Sequence, residues 1–353
     1  MKIKSVEIRP FVRRFVKPLI TSFGAVSERI GFYIYVKTFN EIIGRGEISP
    51  LPSYRNESLG KTEKLLRTFS NTLPGTELDN EVEPISDFCA KISQDNSYLQ
   101  FGIESALYDA ASRVEGFPLC RWLNLKSKMT VPVNCLLTLP IENIEQTASD
   151  INSRGYQAVK IKVGCQNIND EIEGVKQLSQ HLNNAISIRL DANKGWNYEE
   201  SLKALKELSD CPIEYLEEPG CQSVEQIQSL RDETGVGIAL DESLGSLEKC
   251  LLAAESDLCD VIILKPAVLG GLANTIKAYN KITELGKKVV VTSMLETEIG
   301  LASQLHVCAS LSETLPPCGL DTLNLFEKPE ARLSSVNNGA IQLPNGYGIG
   351  YDK

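Results

Sequence analysis

From about residue 131 onward, short apolar runs alternate with longer stretches whose apolar positions recur at helical spacing. The runs are "VPVNCLLTL", "AVKIKVG", "SIRLDAN", "IEYLEEP", "VGIALDE", "VIILKPA", "KVVVTSM" and, more weakly, "PPCGLDT". Stretches such as "EIEGVKQLSQHL" and "LANTIKAYNKITELG" lie between them and predict amphipathic helices. A strand every roughly 25 to 30 residues is the β/α repeat of a barrel or a doubly wound sheet, and eight candidate strands favour the barrel. The first third reads differently. "RIGFYIYVKTFNEIIGRGE" predicts two strands around a turn at Asn40, and "SLGKTEKLLRTFSNTL", "EPISDFCAKIS" and "FGIESALYDAASRVEG" predict helices, so this part is an α+β unit. The tail "NNGAIQLPNGYGIGYDK" is strand and turn material, expected to return to the N-terminal unit.

Within "AVKIKVG" the period of two puts Lys160 and Lys162 on one face of a strand and Val159, Ile161 and Val163 on the other. An edge strand that uses lysines to discourage pairing would carry the same K-x-K. The following runs argue for more. The third ends with Asp191, the fourth with Glu217 and Glu218, the fifth with Asp241 and Glu242, and the sixth with Lys265. In a β/α barrel the carboxyl ends of the strands form the catalytic rim. Ionisable groups thus reach one mouth from five successive strands.

Composition narrows the options. The 353 residues are 42% hydrophobic and 23% charged, enough for a large core and for two domains. A net charge of -10 argues against nucleic acid or an anionic membrane as partner. The N-terminal "MKIKSVEIRPFVRRFVKPLI" lacks the apolar core of a signal peptide and no run approaches a membrane span, so the expected location is cytoplasmic. Ten cysteines are scattered without C-x-x-C pairs and read as reduced packing residues, Cys165 lying nearest the lysines. The two histidines, His181 and His306, fall in helix-like segments, which leaves little room for a histidine-based metal site or triad.

Asp191, Glu217 and Asp241 supply hard oxygen donors from adjacent strands, suited to Mg²⁺ or Mn²⁺ rather than Zn²⁺. A carboxylate substrate bound to such a metal beside a lysine is the layout for removing the proton on the carbon α to that carboxylate. The enediolate that results is doubly charged and requires the metal. A lysine base requires a lowered pKa. Two ammonium groups ~7 Å apart at an effective dielectric of ~20 repel by roughly 2.4 kcal/mol, more than one pKa unit, so Lys160 is expected to tune Lys162.

"KIKVG", "DAN", "EEP", "DES" and "ILKP", in this order, resemble the enolase superfamily in the subgroup typified by muconate lactonizing enzymes, over nearly the whole chain. The resemblance implies an α/β fold: an α+β capping domain at 1–128, a (β/α)7β TIM-like barrel at 129–325 that holds the active site, and a C-terminal return segment at 326–353 packing on the cap. It also implies that "KPLITSFGA" and "SPLPSYRNES" close on a small anionic carboxylate substrate. Lys162 would be the base, Lys160 its electrostatic partner and Lys265 the cation on the opposite face. Asp191, Glu217 and Asp241 would bind the Mg²⁺, or Mn²⁺. Asn193 would neighbour metal and substrate, and Glu218 would sit behind the ligands. The choice of glutamate in "EEP" rests on the resemblance, because sequence does not separate neighbours. Ser293 and Gly270 would receive the distal part of the substrate. "GRGEISPLPSYRNESL", "VIILKPAVLGGL", "TSMLETEIGL" and "GLDTLNLF" look most like the o-succinylbenzoate synthases of menaquinone biosynthesis, which are dehydratases.

Dipeptide epimerases and muconate cycloisomerase-like enzymes of the same superfamily are the alternatives. The epimerases usually carry Asp-x-Asp at the eighth strand to hold a substrate ammonium, and "CGLDTLNL" offers only Asp321. A Schiff-base aldolase would also use a barrel lysine but would not need three carboxylates. A non-catalytic binding module would not need Lys162, Lys265 and a ligand set together. The oligomeric state, including a homo-oligomer, stays open.

Overall fold

A computed structural model describes residues 1–21, 24–51, 58–312, 314–327, 333 and 335–351. The N-terminal part is a three-stranded antiparallel sheet, β1 (Ile3–Thr21), β2 (Gly24–Thr38) and β3 (Ile43–Ile48), followed by α1 (Leu59–Thr72), α2 (Val82–Ser93), α3 (Ser97–Val114) and α4 (Leu119–Leu123). The sequence pattern did not predict β1. Pro10 and a scatter of lysines and arginines disguise it, and both are tolerated because β1 is an edge strand. Helix α3 lies directly on β3: a Cβ on Gly46 would stand 2.0 Å from the carbonyl oxygen of Gly102. The glycines of "GRGE" therefore let a helix approach to backbone contact, and Ser97 to Ser112 are buried throughout.

The second part opens with β4 (Thr130–Pro132) and β5 (Cys135–Thr138). It continues through α5 (Ile144–Arg154), β6 (Ala158–Lys162), α6 (Ile168–His181), β7 (Ser187–Asp191), α7 (Tyr198–Glu207), β8 (Ile213–Glu217), α8 (Val224–Thr234) and β9 (Gly237–Leu240). Next come α9 (Leu247–Glu255), β10 (Val261–Leu264), the single turn α10 (Pro266–Leu269), α11 (Leu272–Glu284), β11 (Lys288–Val291) and α12 (Glu298–Leu311). Strands β5 to β11 form one parallel sheet in sequence order. The first expected run splits: its start pairs as β4 with β12 (Ala340–Gln342) of the tail, and only its second half joins the parallel sheet. The eighth expected run is no regular strand, because two residues carry its pairing. Cys318 bonds to the backbone of Pro132 and Asn134 and Gly319 to that of Val291 and Ser293, at 2.8 to 3.1 Å, so this segment bridges the two edges of the sheet.

Strand alternation sorts the side chains. Val159, Ile161, Ile188, Leu190, Leu216, Ile238, Ile262, Leu264, Val289 and Val291 face the helices and join the large core. The opposite face is filled by a small cluster of Tyr215, Ala239, Val261, Ile263 and Val290. Arg189 sits with it, bonded to Glu214 at 2.7 Å and to the carbonyl of Pro317 at 2.6 Å, and so ties the bridging segment to β7. A second large core belongs to the N-terminal sheet and its helices and includes Ala267, Leu272, Met294 and Ile299 from the strand-rich part. Near the C-terminal end, Ile349 N–H donates to Asp109 at 2.8 Å, and Arg113 to the carbonyl of Tyr351 at 2.8 Å. Among the described residues no helix is long and apolar enough to cross a membrane.

Candidate active site

Register brings the predicted groups together. Thr138 pairs with Lys162, Lys162 with Asp191 and Asp191 with Glu217, so the ends of β5 to β8 lie on one rung. Lys160 Nζ is 2.7 Å from both Glu217 oxygens and 2.8 Å from Asp191 Oδ2. Lys162 Nζ lies 2.8 Å from that same Oδ2, and both contacts to it are ion pairs rather than aligned hydrogen bonds. Across the mouth, Lys265 Nζ meets Asp241 Oδ2 at 2.5 Å.

The structure changes the expected electrostatics of the lysine pair. Asp191 touches both ammonium groups and Glu217 holds Lys160, so two cations meet two carboxylates and the bare repulsion is screened where it would act. Burial opposes the charge of Lys160, but Asp191 and Glu217 hold its pKa above the ordinary lysine range. Burial likewise opposes the charge of Asp191, and the two lysines keep its carboxyl below the usual range. Glu217 is pushed up to about 8, by burial first and then by repulsion from Asp191.

The two glutamates of "EEP" separate clearly. Glu217 gives both oxygens to Lys160 and lies fully buried behind the cavity lining. Glu218, at φ +44°, turns away and accepts N–H groups of Asp241 and Ser243 at 2.8 Å and the Ser243 hydroxyl at 2.9 Å, bracing the end of β9. Asn193, also left-handed at φ +41°, accepts from Lys162 at 2.6 Å and donates to Glu242 at 2.5 Å. Glu242 was visible as a rim charge but not as a site residue; here it lines the cavity, raised to about 7 by burial and by Asp241. Its Oε2 has no hydrogen-bond partner among the described residues. The loop after β6 is fixed by the buried Glu171, which accepts N–H of Gly164 and Cys165 at 2.9 Å, Gln166 at 3.0 Å and the indole of Trp196 at 2.8 Å.

The remaining wall is mostly apolar. Leu136 and Thr138 come from β5, Thr292 to Leu295 follow β11, Gly319, Asp321 and Thr322 come from the bridging segment, and Leu19 and Leu51 reach in from the N-terminal part. Sequence pattern did not flag Leu136, Met294 and Leu295, because an apolar residue facing a cavity reads like one facing a core. Of the two expected closing loops, Leu19 and Leu51 are in place, while residues 22–23 and 52–57 lie outside the described residues. Ser293 lines the cavity as expected, 3.3 Å from the hydroxyl of Thr322. Gly270 is a correction. It is absent from the lining and closes α10 at φ +79°, where a Cβ would meet Gln100 of α3 at 3.1 Å, so its glycine serves packing and backbone turn. Asp321 accepts the hydroxyl of Tyr156 at 2.5 Å, and Tyr156 belongs to the core outside the sheet.

As they stand, no three carboxylate, imidazole or thiol groups among the described residues are gathered to hold a metal, because Lys160 bridges Asp191 and Glu217 and Lys265 takes Asp241. The donor set nonetheless fits a hard divalent cation. It is all oxygen, buried, and crowded enough to raise Glu217. The ten cysteines are all free thiols, and Cys165 is exposed.

Residues 143–352 match the family described as Enolase C-terminal domain-like. The sequence is 26% identical over 361 residues to a D-Ala-D/L-Ala epimerase of Cytophaga hutchinsonii, covering 100% of this chain and 97% of that one. It is 33% identical over 200 residues to an o-succinylbenzoate synthase of Thermobifida fusca, covering 56% of this chain and 61% of that protein. Among solved structures, the dipeptide epimerase of Enterococcus faecalis V583 complexed with Mg and the dipeptide L-Leu-L-Tyr superimposes with a TM-score of 0.86 at 23% identity, over 99% of each chain.

Proposed function

This chain belongs to the enolase superfamily, and on that footing we propose that it is a carbon–oxygen lyase, an o-succinylbenzoate synthase that dehydrates 2-succinyl-6-hydroxy-2,4-cyclohexadiene-1-carboxylate in menaquinone biosynthesis. The parallel sheet with its bridging segment is read as a closed (β/α)7β barrel at 129–325, capped by the unit at 1–128, with the return segment 326–353 packed on the cap. Asp191, Glu217 and Asp241 would hold Mg²⁺, or Mn²⁺, which when bound supplies positive charge against the substrate carboxylate.

Lys162, in its neutral form, takes the proton α to the carboxylate and returns it to the hydroxyl leaving from the same face. One water departs and the ring becomes aromatic, with no redox partner required. Lys160 keeps Asp191 ionised and holds Asp191 and Glu217 in place. Lys265 directly follows β10, three strands beyond β6's neighbour β7, and serves as the cation on the opposite face. Asn193 orients the Lys162 ammonium through its 2.6 Å bond. Ser293 offers a hydroxyl to the distal carboxylate.

The observation that carries the synthase reading is Asp321. Its carboxylate is engaged by Tyr156, and Leu323 stands where a second aspartate would complete an ammonium site. The rest of that wall is leucine, methionine, hydroxyls, Gly319 and Asn134, whose amide oxygen already accepts from Arg189 at 3.3 Å, so an amino group would find little to meet. Dipeptide epimerisation is the second reading, favoured by the end-to-end likeness to an epimerase; a muconate cycloisomerase-like reaction would use the same lysines. The test is incubation with the cyclohexadiene carboxylate and Mg²⁺ while following the aromatic product by absorbance, beside dipeptides in D₂O. Aromatisation without dipeptide α-proton exchange is expected; exchange into dipeptides with no aromatic product would overturn the synthase.

A further inference from the structure

Five helices of the barrel cap themselves. The side chains of Asn143, Asn167, Asn197, Ser223 and Ser246 accept N–H groups at the starts of α5 to α9. Helices α11 and α12 do not: Gly271 and Thr297 stand at their N-caps without a side-chain bond. Their free N–H groups are met instead by two buried glutamates of the N-terminal unit. Glu104 on α3 accepts from Leu272 at 2.5 Å and from Ala273 at 2.9 Å. Glu47 on β3 accepts from Thr297 N–H at 2.9 Å, from its hydroxyl at 2.7 Å and from Gly300 N–H at 3.0 Å.

These two helices follow the strands that carry Lys265 and the Ser293 wall. Behind Lys265 the chain makes one tight turn, with Gly271 N–H bonded to the carbonyl of Pro266 at 2.9 Å, and a Cβ on Gly271 would lie 2.6 Å from Glu104. Behind Ser293, Arg29 donates to the carbonyl of Leu295 at 3.1 Å and to that of Pro50 at 3.4 Å, joining the 293–297 loop to the strand end that presents Leu51. Leu295 is held at φ +62°, a conformation a leucine keeps only when its surroundings impose it.

We propose that Glu104 and Glu47 are positioning residues: the cap supplies the missing helix caps in trans, Glu104 setting the turn that aims Lys265 and Glu47 setting the wall that carries Ser293, Met294 and Leu295. This rests on the placement of Lys265 and that wall in the active site. A cap held only by apolar packing would fix the domains together without fixing these two loops. Two carboxyl caps of defined geometry fix both, and each reports on a different step.

The test compares Glu104→Ala, Glu104→Gln, Glu47→Ala and Glu47→Gln with the parent enzyme by steady-state kinetics and by hydrogen–deuterium exchange. Loss of loop placement without loss of the base costs about tenfold or more. Glu104→Ala is therefore expected to lower kcat with KM within about twofold, and Glu47→Ala to raise KM with kcat little changed, each Gln variant lying between because it keeps one acceptor oxygen. Exchange should rise at 265–275 in the first pair and at 293–301 in the second. Folded variants with parental kcat and KM, or exchange raised evenly along the chain, overturn the proposal. Should the alanine variants fail to fold, the glutamine pair decides on the same criteria. Should the parent not turn over the cyclohexadiene carboxylate, the synthase reading fails and the exchange pattern still decides the positioning.

Discussion

The cavity at the carboxyl ends of the parallel strands has two unlike sides. One is built from the ends of β6 to β10 and presents Lys160, Lys162, Asp191, Asn193, Asp241, Glu242 and Lys265, with Glu217 held behind them by Lys160 and nearly every polar atom tied to another. The other is built from β5, the segments after β11 and the bridging residues, and from Leu19 and Leu51, and presents leucines, a methionine, hydroxyls, Asn134 and the Tyr156-bound Asp321. Ladder register fixes the first side, since one rung aligns Lys162, Asp191 and Glu217. Loops and the cap shape the second. The ladder-held charges and the loop-built wall are thus separate constructions, and each side can be attacked alone.

The largest effect should come from the charged side. Chelation of the divalent cation is expected to abolish turnover, with Mg²⁺ or Mn²⁺ restoring it; full activity in metal-free enzyme would remove the three carboxylates from the ligand role. Lys162→Ala should lose both dehydration and exchange of the substrate α-proton, by about 10² to 10⁴, or roughly 3–5 kcal/mol of barrier. Near-normal dehydration in that variant would mean another group is the base. Lys265→Arg keeps the cation and alters its shape, so turnover should fall while α-proton exchange persists in part; complete loss of exchange, followed by NMR in D₂O, would make Lys265 a second base.

The apolar side should respond more weakly and in another parameter. Leu136→Ala removes buried contact area, expected to cost about 1–2 kcal/mol, seen as a roughly 5- to 30-fold rise in KM with kcat nearly kept. A fall in kcat alone would show that the two sides are not separable. The smallest effect is predicted for Asp321→Asn: a carboxylate engaged by Tyr156 should matter little to a synthase, within about threefold in kcat/KM, whereas the epimerase reading demands loss of dipeptide turnover.

Reading the sequence recovered the charged side almost entirely, because a lysine or carboxylate at the end of an apolar run has few other reasons to be there. It also recovered strands β5 to β11 and the helices between them, where period-two and helical spacing are long and clean. It missed β1, whose proline and charges suit an edge, and it overstated the eighth strand, where two residues suffice to bridge the sheet. The apolar wall was illegible, since Leu136 or Met294 looks like any core residue until the fold leaves one side of it open. Gly270 was misplaced for a related reason: a glycine after a catalytic strand suggests room for a ligand, and here the room is taken by Gln100.

The carboxylate of Glu171 has a consequence for how such a barrel can change over generations. It gathers three successive N–H groups behind Lys162 and the indole of Trp196 from the neighbouring loop, and Gly164 and Gly195 meet there backbone to backbone, so a Cβ on Gly195 would lie 2.2 Å from the carbonyl oxygen of Gly164. The loop behind Lys162 is anchored by contacts that involve neither the cap nor the bridging segment. Residues of the opposite wall can drift, or be exchanged for those of a relative with another substrate, without disturbing that anchorage. A chimera with a foreign 17–25 segment is expected to keep that anchorage unchanged and to differ first in the wall around Leu19.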